Sequence, residues 1–226
     1  ERPLANNEPD FFGHRSLAKR IVQIAAVEGR PVALLGRFGT GKSSILNVVR
    51  AELQHSSRPV IVADLDVWAV ANPEDVPRLA LNRIVTALDE YVDTMEFRSL
   101  PTSYQRLAAA EPTGRLASIL GLDRQSDSLD ELVRLTPILD ALDARIVLII
   151  EDVERAGQGF DTRHLARLLW ALRRVGRSSF VLAVDPDHAP LDFSKLCDTI
   201  ERVPPLEVKQ VATILTVAFS HWRSAY

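Results

Sequence analysis

The residues Gly36-Arg37-Phe38-Gly39-Thr40-Gly41-Lys42-Ser43 satisfy the pattern G-x-x-x-x-G-K-[ST] without a mismatch. They lie between a short apolar run, Pro31 to Leu35, and a stretch with helical spacing through Ile45, Leu46, Val49 and Leu53. A strand must therefore deliver the chain to the glycines and a helix must carry it away, which restricts the fold to a few α/β arrangements. Glycines at 36, 39 and 41 let backbone amides turn inward around phosphate oxygens, and the following helix presents its positive N-terminus. Lys42 is suited to neutralise the β and γ phosphates, and the Ser43 hydroxyl to ligate magnesium. The expected cofactor-binding segment is Gly36, Arg37, Phe38, Gly39, Thr40, Gly41, Lys42, Ser43 and Ser44. An ordinary glycine turn capped by Ser43 would have no use for Lys42 at that place.

The rest of the chain repeats the alternation of strand and helix. Leu17, Ile21, Ile24 and Ala25 define a helix before the first strand, with Gly29 as its stop. Val60 to Ala63 reads as a second strand, followed by a helix with Asn72 as cap and Pro73 at its first position. Residues 94–143 carry short helical patterns broken at Pro101, Pro112, Gly114 and Gly121, and read as an all-helical insertion. The run Ile146 to Ile150 is apolar throughout and then abruptly acidic, the pattern of a central strand buried on both faces. Asp161 then caps a helix with Leu165, Leu168, Leu169 and Leu172 on one face, "FVLAVD" ends a fourth strand at Asp185, and "TIERV" is a short fifth. Residues 206–226 read as the start of a helical lid within a single domain spanning 1–226. Such an order predicts a mostly parallel sheet covered by helices on both faces, with ligands at the carboxyl ends of the strands.

Composition narrows the function. A net charge of −3 gives no general attraction to nucleic acid. One cysteine, Cys197, excludes an internal disulfide and a cysteine metal cluster, and is read as a small buried hydrophobe in a protein of the cytoplasm. No apolar run approaches the roughly 18 residues of a membrane helix. His14, His55, His164, His188 and His221 show no metal-ligand spacing, and no G-x-S-x-G occurs. Trp170 and Trp222 are expected as core or lid contacts.

Glu151 and Asp152 close the apolar strand, where one acid can hold magnesium and another can orient an attacking water. The bland alternative is a pair of surface acids after a strand. No N-K-x-D sequence is present to read guanine, so ATP is the expected nucleotide.

The loop, "IVADLDVWAVANPEDVPRLALNRIV", "IVLIIEDVER" and "FVLAVDPDHA" together resemble the KAP family of P-loop NTPases, whose members include phage-exclusion and defence proteins. "DFFGHRSLAKRI" is similar to that family's lead-in before the first helix, Phe38 stands where its loop has Trp, and Trp68 stands at its post-strand Trp. The resemblance implies a three-layer α/β sandwich with a five-stranded sheet in the order 5-1-4-3-2 and a helical insertion. It implies Glu151 as the magnesium-side acid beside Ser43, Asp152 as the candidate base, or the two exchanged, and Asp185 as a γ-phosphate sensor or a helix cap. The family's acidic motif has Asp where this chain has Glu151, one methylene longer, and its arginine corresponds to Arg155.

Lys42, Glu151, Asp152 and Asp185 are thus the expected catalytic set, with ATP and Mg²⁺ as cofactors. Arg173, Arg174 and Arg177 cluster at a helix end, either as cations favourable there or as a group acting on a neighbouring subunit's nucleotide in a homo-oligomer. The expected role is the ATP-hydrolysing motor or switch of a larger bacterial defence protein, with an effector domain or protein as its partner and no membrane anchor. Two rivals stand beside it: a nucleotide-gated scaffold with little hydrolysis, and a DNA-handling ATPase of origin-recognition type.

Overall fold

The computed structural model describes residues 10, 13–56, 58–70, 72–92, 128–153, 161–187, 192–205, 211–212 and 216. Strands β1 (Val32–Leu35), β2 (Val60–Asp66), β3 (Arg145–Glu151), β4 (Ser178–Val184) and β5 (Thr199–Arg202) form one sheet in the order β2-β3-β4-β1-β5. Every neighbouring pair is parallel. This is the expected order, with β4 inserted between the loop strand and the acid strand.

Residue parity sorts the strands onto two cores. Ala33 and Leu35 of β1, Ile146, Leu148 and Ile150 of β3, and Phe180, Leu182 and Val184 of β4 pack into one apolar cluster. Their neighbours Val32, Leu34, Val147, Ile149, Val181 and Ala183 pack into the other. Because both faces are covered, β3 and β4 show no alternation of polarity, and each large side chain so buried contributes about 1.5–3 kcal/mol of gross transfer free energy. β2, at the edge, does alternate: Ile61, Ala63 and Leu65 are buried while Asp64 and Asp66 are exposed on the opposite parity.

Helices α1 (His14–Val22) and α2 (Lys42–Gln54) cover one face. The other carries α3 (Val76–Leu88), α4 (Ser128–Arg134), α5 (Thr136–Ala141) and α6 (Thr162–Arg174). Several elements depart from their expected form. The first helix begins at His14 rather than near Ser16, and its last part, Gln23–Glu28, is a π-helix ended by Gly29 at φ 73°. The buried Ser179 hydroxyl of β4 donates to the Ala25 carbonyl of that segment at 2.7 Å. Asn72 and Pro73 open only a 3₁₀ turn, Pro73–Asp75, without a side-chain cap, and the α-helix starts at Val76. Asp161 does cap α6, accepting the Arg163 N–H at 3.0 Å.

Of the expected insertion, residues 94–127 lie outside the described residues, and 128–141 carry α4 and α5. Most of the expected lid, together with Arg155, Trp222, His188 and His221, also lies outside them. Trp170 is 52% exposed, which corrects the core contact expected of it; the lid contact falls outside the described residues. Trp170 stands two residues from Leu168 and Leu172, about 200° around the helix, which turns it away from the buried leucine face. Its ring instead carries the Arg173 guanidinium at 5.7 Å. Among the described residues no helix is long and apolar enough to cross a membrane.

Ser179→Ala should lower stability to denaturant by about 1–3 kcal/mol, because the Ala25 carbonyl loses its donor in a buried setting. An unchanged denaturation midpoint would show that another donor replaces it.

Candidate nucleotide-binding site

Parallel strands bring the carboxyl ends of β1, β3 and β4 to one edge, and each ends at a residue expected in the site: Gly36, Glu151 and Asp185. Gly36 N–H donates to the Val184 carbonyl at 3.1 Å, so the loop leaves directly from the hydrogen-bonded sheet. Within the loop the Thr40 hydroxyl donates to the Arg37 carbonyl at 2.7 Å. The Lys42 ammonium reaches back to the Gly36 carbonyl at 2.7 Å, closing the ends of the loop on each other.

The glycines are needed for different reasons. A Cβ on Gly36 would stand 2.5 Å from the Thr40 hydroxyl and 2.8 Å from a Val203 methyl, so the position is sterically closed to any side chain. Gly41, the residue before α2, has φ 92°, and a Cβ there would meet the His14 ring at 2.9 Å. A helix start leaves N–H groups without acceptors in the helix, and Gly41 delivers the loop to that start. A closely approached backbone, a helix N-terminus and an ammonium inside the same loop fit the phosphates of a nucleotide.

Asp185 ties the loop to β4. The carboxylate, 4% exposed, accepts the Phe38 N–H at 3.1 Å on one oxygen and the Asp187 N–H at 3.0 Å on the other. The second bond closes a turn at Pro186 and Asp187, where sequence reasoning offered a helix cap; the first is a tether that sequence reasoning missed. Arg37 adds an exposed pair with Asp187 at 2.8 Å. Phe38, at 80%, is the most exposed large apolar side chain described, and Trp68 is exposed at the end of β2.

Glu151 and Asp152 are half-buried. Asp152 has φ 56°, a left-handed conformation that Asp tolerates better than most residues and that turns the chain sharply out of β3. Parity puts Glu151 with Val147 and Ile149 on the face covered by α2. There it accepts a hydrogen bond from Arg50 Nη2, and Arg50 also binds Asp64 at 2.8 Å and Asn47 at 2.9 Å. Burial opposes the Arg50 charge, but the hydrogen bonds and attraction of Asp64 and Glu151 prevail and raise its pKa above the ordinary value. Among the described residues no three His, Cys, Asp or Glu side chains form a metal cage. A magnesium ion held partly by phosphates needs no such cage, and the Ser43 hydroxyl and the Glu151 carboxylate offer the oxygen donors that fit such an ion.

His14 is the other residue that sequence reasoning did not place. Its ring abuts Gly41, it is 6% exposed, and burial lowers its pKa while Asp10 opposes the shift. Asp10 fixes the start of α1 by accepting the His14 and Arg15 N–H groups, each at 2.8 Å.

The remaining candidates lie elsewhere. Arg173 is bound to Asp198 at 2.8 Å and to the Leu196 carbonyl at 3.0 Å. Arg177 pairs with Asp140 and Asp143 at 2.6 Å. These arginines precede β4, at the amino edge of the sheet, opposite the loop. The Cys197 thiol is buried, and its pKa is pushed up to about 12, which makes it inert as expected. Two described cavities, about 280 and 110 Å³, share no residue with the loop.

Comparison with known proteins agrees with this geometry. A family model described as the KAP family P-loop domain matches residues 14–189. No curated protein matches the chain. Among solved structures, the Aeropyrum pernix ORC2 protein in ADPNP–ADP complexes is similar with a TM-score of 0.56 at 14% identity, over 96% of this chain and 52% of that one. Cdc6p from Pyrobaculum aerophilum gives 0.55 at 15% identity over 94% and 50%. Drosophila ORC bound to DNA gives 0.56 at 15% identity over 93% and 51%. The chain spans about half the length of these three, and at such identities the likeness establishes the fold.

Asp185→Ala should speed amide exchange across residues 37–40 by about tenfold or more, since the Phe38 N–H loses a charged acceptor. Unchanged exchange would show that the glycine turns alone hold the loop.

Proposed function

The chain belongs to the KAP family of P-loop domains, and from that membership we propose that it binds ATP at residues 36–44 and hydrolyses it with magnesium. The observation that carries this reading is the Lys42 ammonium closing a glycine loop at the strand edge where Glu151, Asp152 and Asp185 also end. Lys42 and the amides at the start of α2 hold the β and γ phosphates. Ser43 and Glu151 hold Mg²⁺, which when bound neutralises charge on the transferred phosphoryl group. Asp152 orients the attacking water and takes its proton, and Asp185 keeps the loop in register with the sheet. ATP rather than GTP follows from the missing guanine-reading sequence, and the adenine nucleotides of the archaeal ORC2 structure support it. We place the domain in a homo-oligomer, as the motor or switch of a larger bacterial defence protein, by analogy with phage-exclusion members of the family.

A second reading, a nucleotide-gated scaffold with slow turnover, is favoured by one observation: the Glu151 carboxylate is already engaged by Arg50. The DNA of the Drosophila ORC structures belongs to those proteins, and a net charge of −3 lends a DNA-handling role no support here.

Lys42→Ala should raise the Kd for ATP on the order of a hundredfold, the loss of a charge-assisted contact to phosphate. Retained affinity in a titration with labelled ATP would remove the loop from the function. Asp152→Asn should keep binding and slow phosphate release by about 10²–10⁴-fold. Release measured across protein concentrations separates the readings: turnover that rises with concentration supports the oligomeric ATPase, and bound but uncleaved ATP in the wild type supports the scaffold.

A further inference from the structure

The acid at the end of β3 is a glutamate, and its side chain, one methylene longer than an aspartate's, has more rotamers to lose before it can serve a metal site. The structure contains a device that removes that freedom. Ser43, Asn47 and Arg50 are spaced four and three residues apart on α2, so they share one face of the helix. Parity puts Glu151 of β3 and Asp64 of β2 on the sheet face that α2 covers, and in register Asp64 lies beside Ile149, two residues before Glu151. Arg50 spans the three elements. Its Nε and Nη2 contact Asp64 Oδ1 at 2.8 Å, its Nη1 donates to Asn47 Oδ1 at 2.9 Å, and its Nη2 donates to Glu151 Oε1.

We infer that Arg50 is the positioning residue for Glu151, its guanidinium fork holding one carboxylate oxygen fixed while the other serves the magnesium nucleotide. The inference rests on the ATPase reading above. It differs from an ordinary surface ion pair, which contributes little, because Arg50 and Glu151 are both mostly shielded, at 24% and 21% side-chain exposure, and the fork is held by three acceptors on three elements. Two carboxylates against one guanidinium also leave the cluster one net negative charge, which favours a cation beside it. A lysine could supply the charge but not the planar fork that reaches Asn47, Asp64 and Glu151 together.

The test is the ATP affinity of the full chain, measured in EDTA and again in Mg²⁺, for the wild type, Arg50→Gln, Arg50→Lys, Glu151→Gln and the double variant Arg50→Gln/Glu151→Gln. Positioning predicts that Arg50→Gln leaves the EDTA affinity unchanged and cuts the gain on adding Mg²⁺ by about tenfold or more, as for other groups that orient a metal-ligating side chain. Arg50→Lys should lose most of the same gain, and it carries the comparison if Arg50→Gln does not fold. In the Glu151→Gln background the Arg50 substitution should add nothing. Equal losses with and without Mg²⁺ would mark a merely structural role and overturn the inference. A larger Mg²⁺ gain in Arg50→Gln would overturn it too, since Arg50 would then be a competitor of the cation. Wild-type ATP binding with no Mg²⁺ gain overturns the inference while leaving nucleotide binding intact; no ATP binding by the wild type overturns both.

Discussion

Burial of β3 and β4 on both faces is the constraint on which the rest of the molecule depends. Continuous apolar strands are stable only when helices cover each side, and that requirement makes the sheet parallel and places every loop of consequence at its two edges. Ile146 to Ile150 are fully buried, so this strand cannot shift register by one residue without exchanging its two cores. The acids that follow are therefore delivered to a fixed height at the carboxyl edge. The same argument applied to β1 and β4 brings Gly36 and Asp185 to that edge.

Upon this frame the site is assembled from groups that hold each other. The loop is fastened at its base by Lys42 to Gly36, on its flank by Asp185 to Phe38, and behind by the ring of His14 against Gly41. The acid is fastened from α2 by Arg50. Each tether joins a residue at a strand end or helix start to one from a different part of the sheet edge or its covering helices, so the geometry is set by rigid elements rather than by the loop's own preferences.

Much of this is legible in the sequence. The glycine loop, the strands and helices on either side of it, the buried β3 and the acids behind it follow from local spacing, and the cap at Asp161 stands where it was expected. The strand order followed from the resemblance, because periodicity alone does not say which strands are neighbours. Other features were read imperfectly. Asn72 and Pro73 carry the signature of a helix start, but the chain there makes a 3₁₀ turn first. Trp170 reads as a core or lid contact because it falls in an apolar helical stretch; its angle on α6 turns it out of the core, where Arg173 covers its ring. Spacing leaves the arginines at the helix end open to two roles, and in the fold Arg173 and Arg177 are bound to carboxylates of the same chain.

The sequence by itself determined the strands, most of the helices, the glycine loop and the kind of chemistry its residue types suit, because these depend on neighbours a few bonds or one helical turn away. Tertiary structure alone decided that Arg50 meets Glu151, 101 residues later, that Asp185 holds the amide of Phe38, 147 residues earlier, and that His14 closes on Gly41. No local propensity encodes such pairs. They exist because sheet register and the packing of α1 and α2 bring distant charges and donors to one edge, where leaving a half-buried carboxylate or guanidinium without a partner would cost more than ordering it.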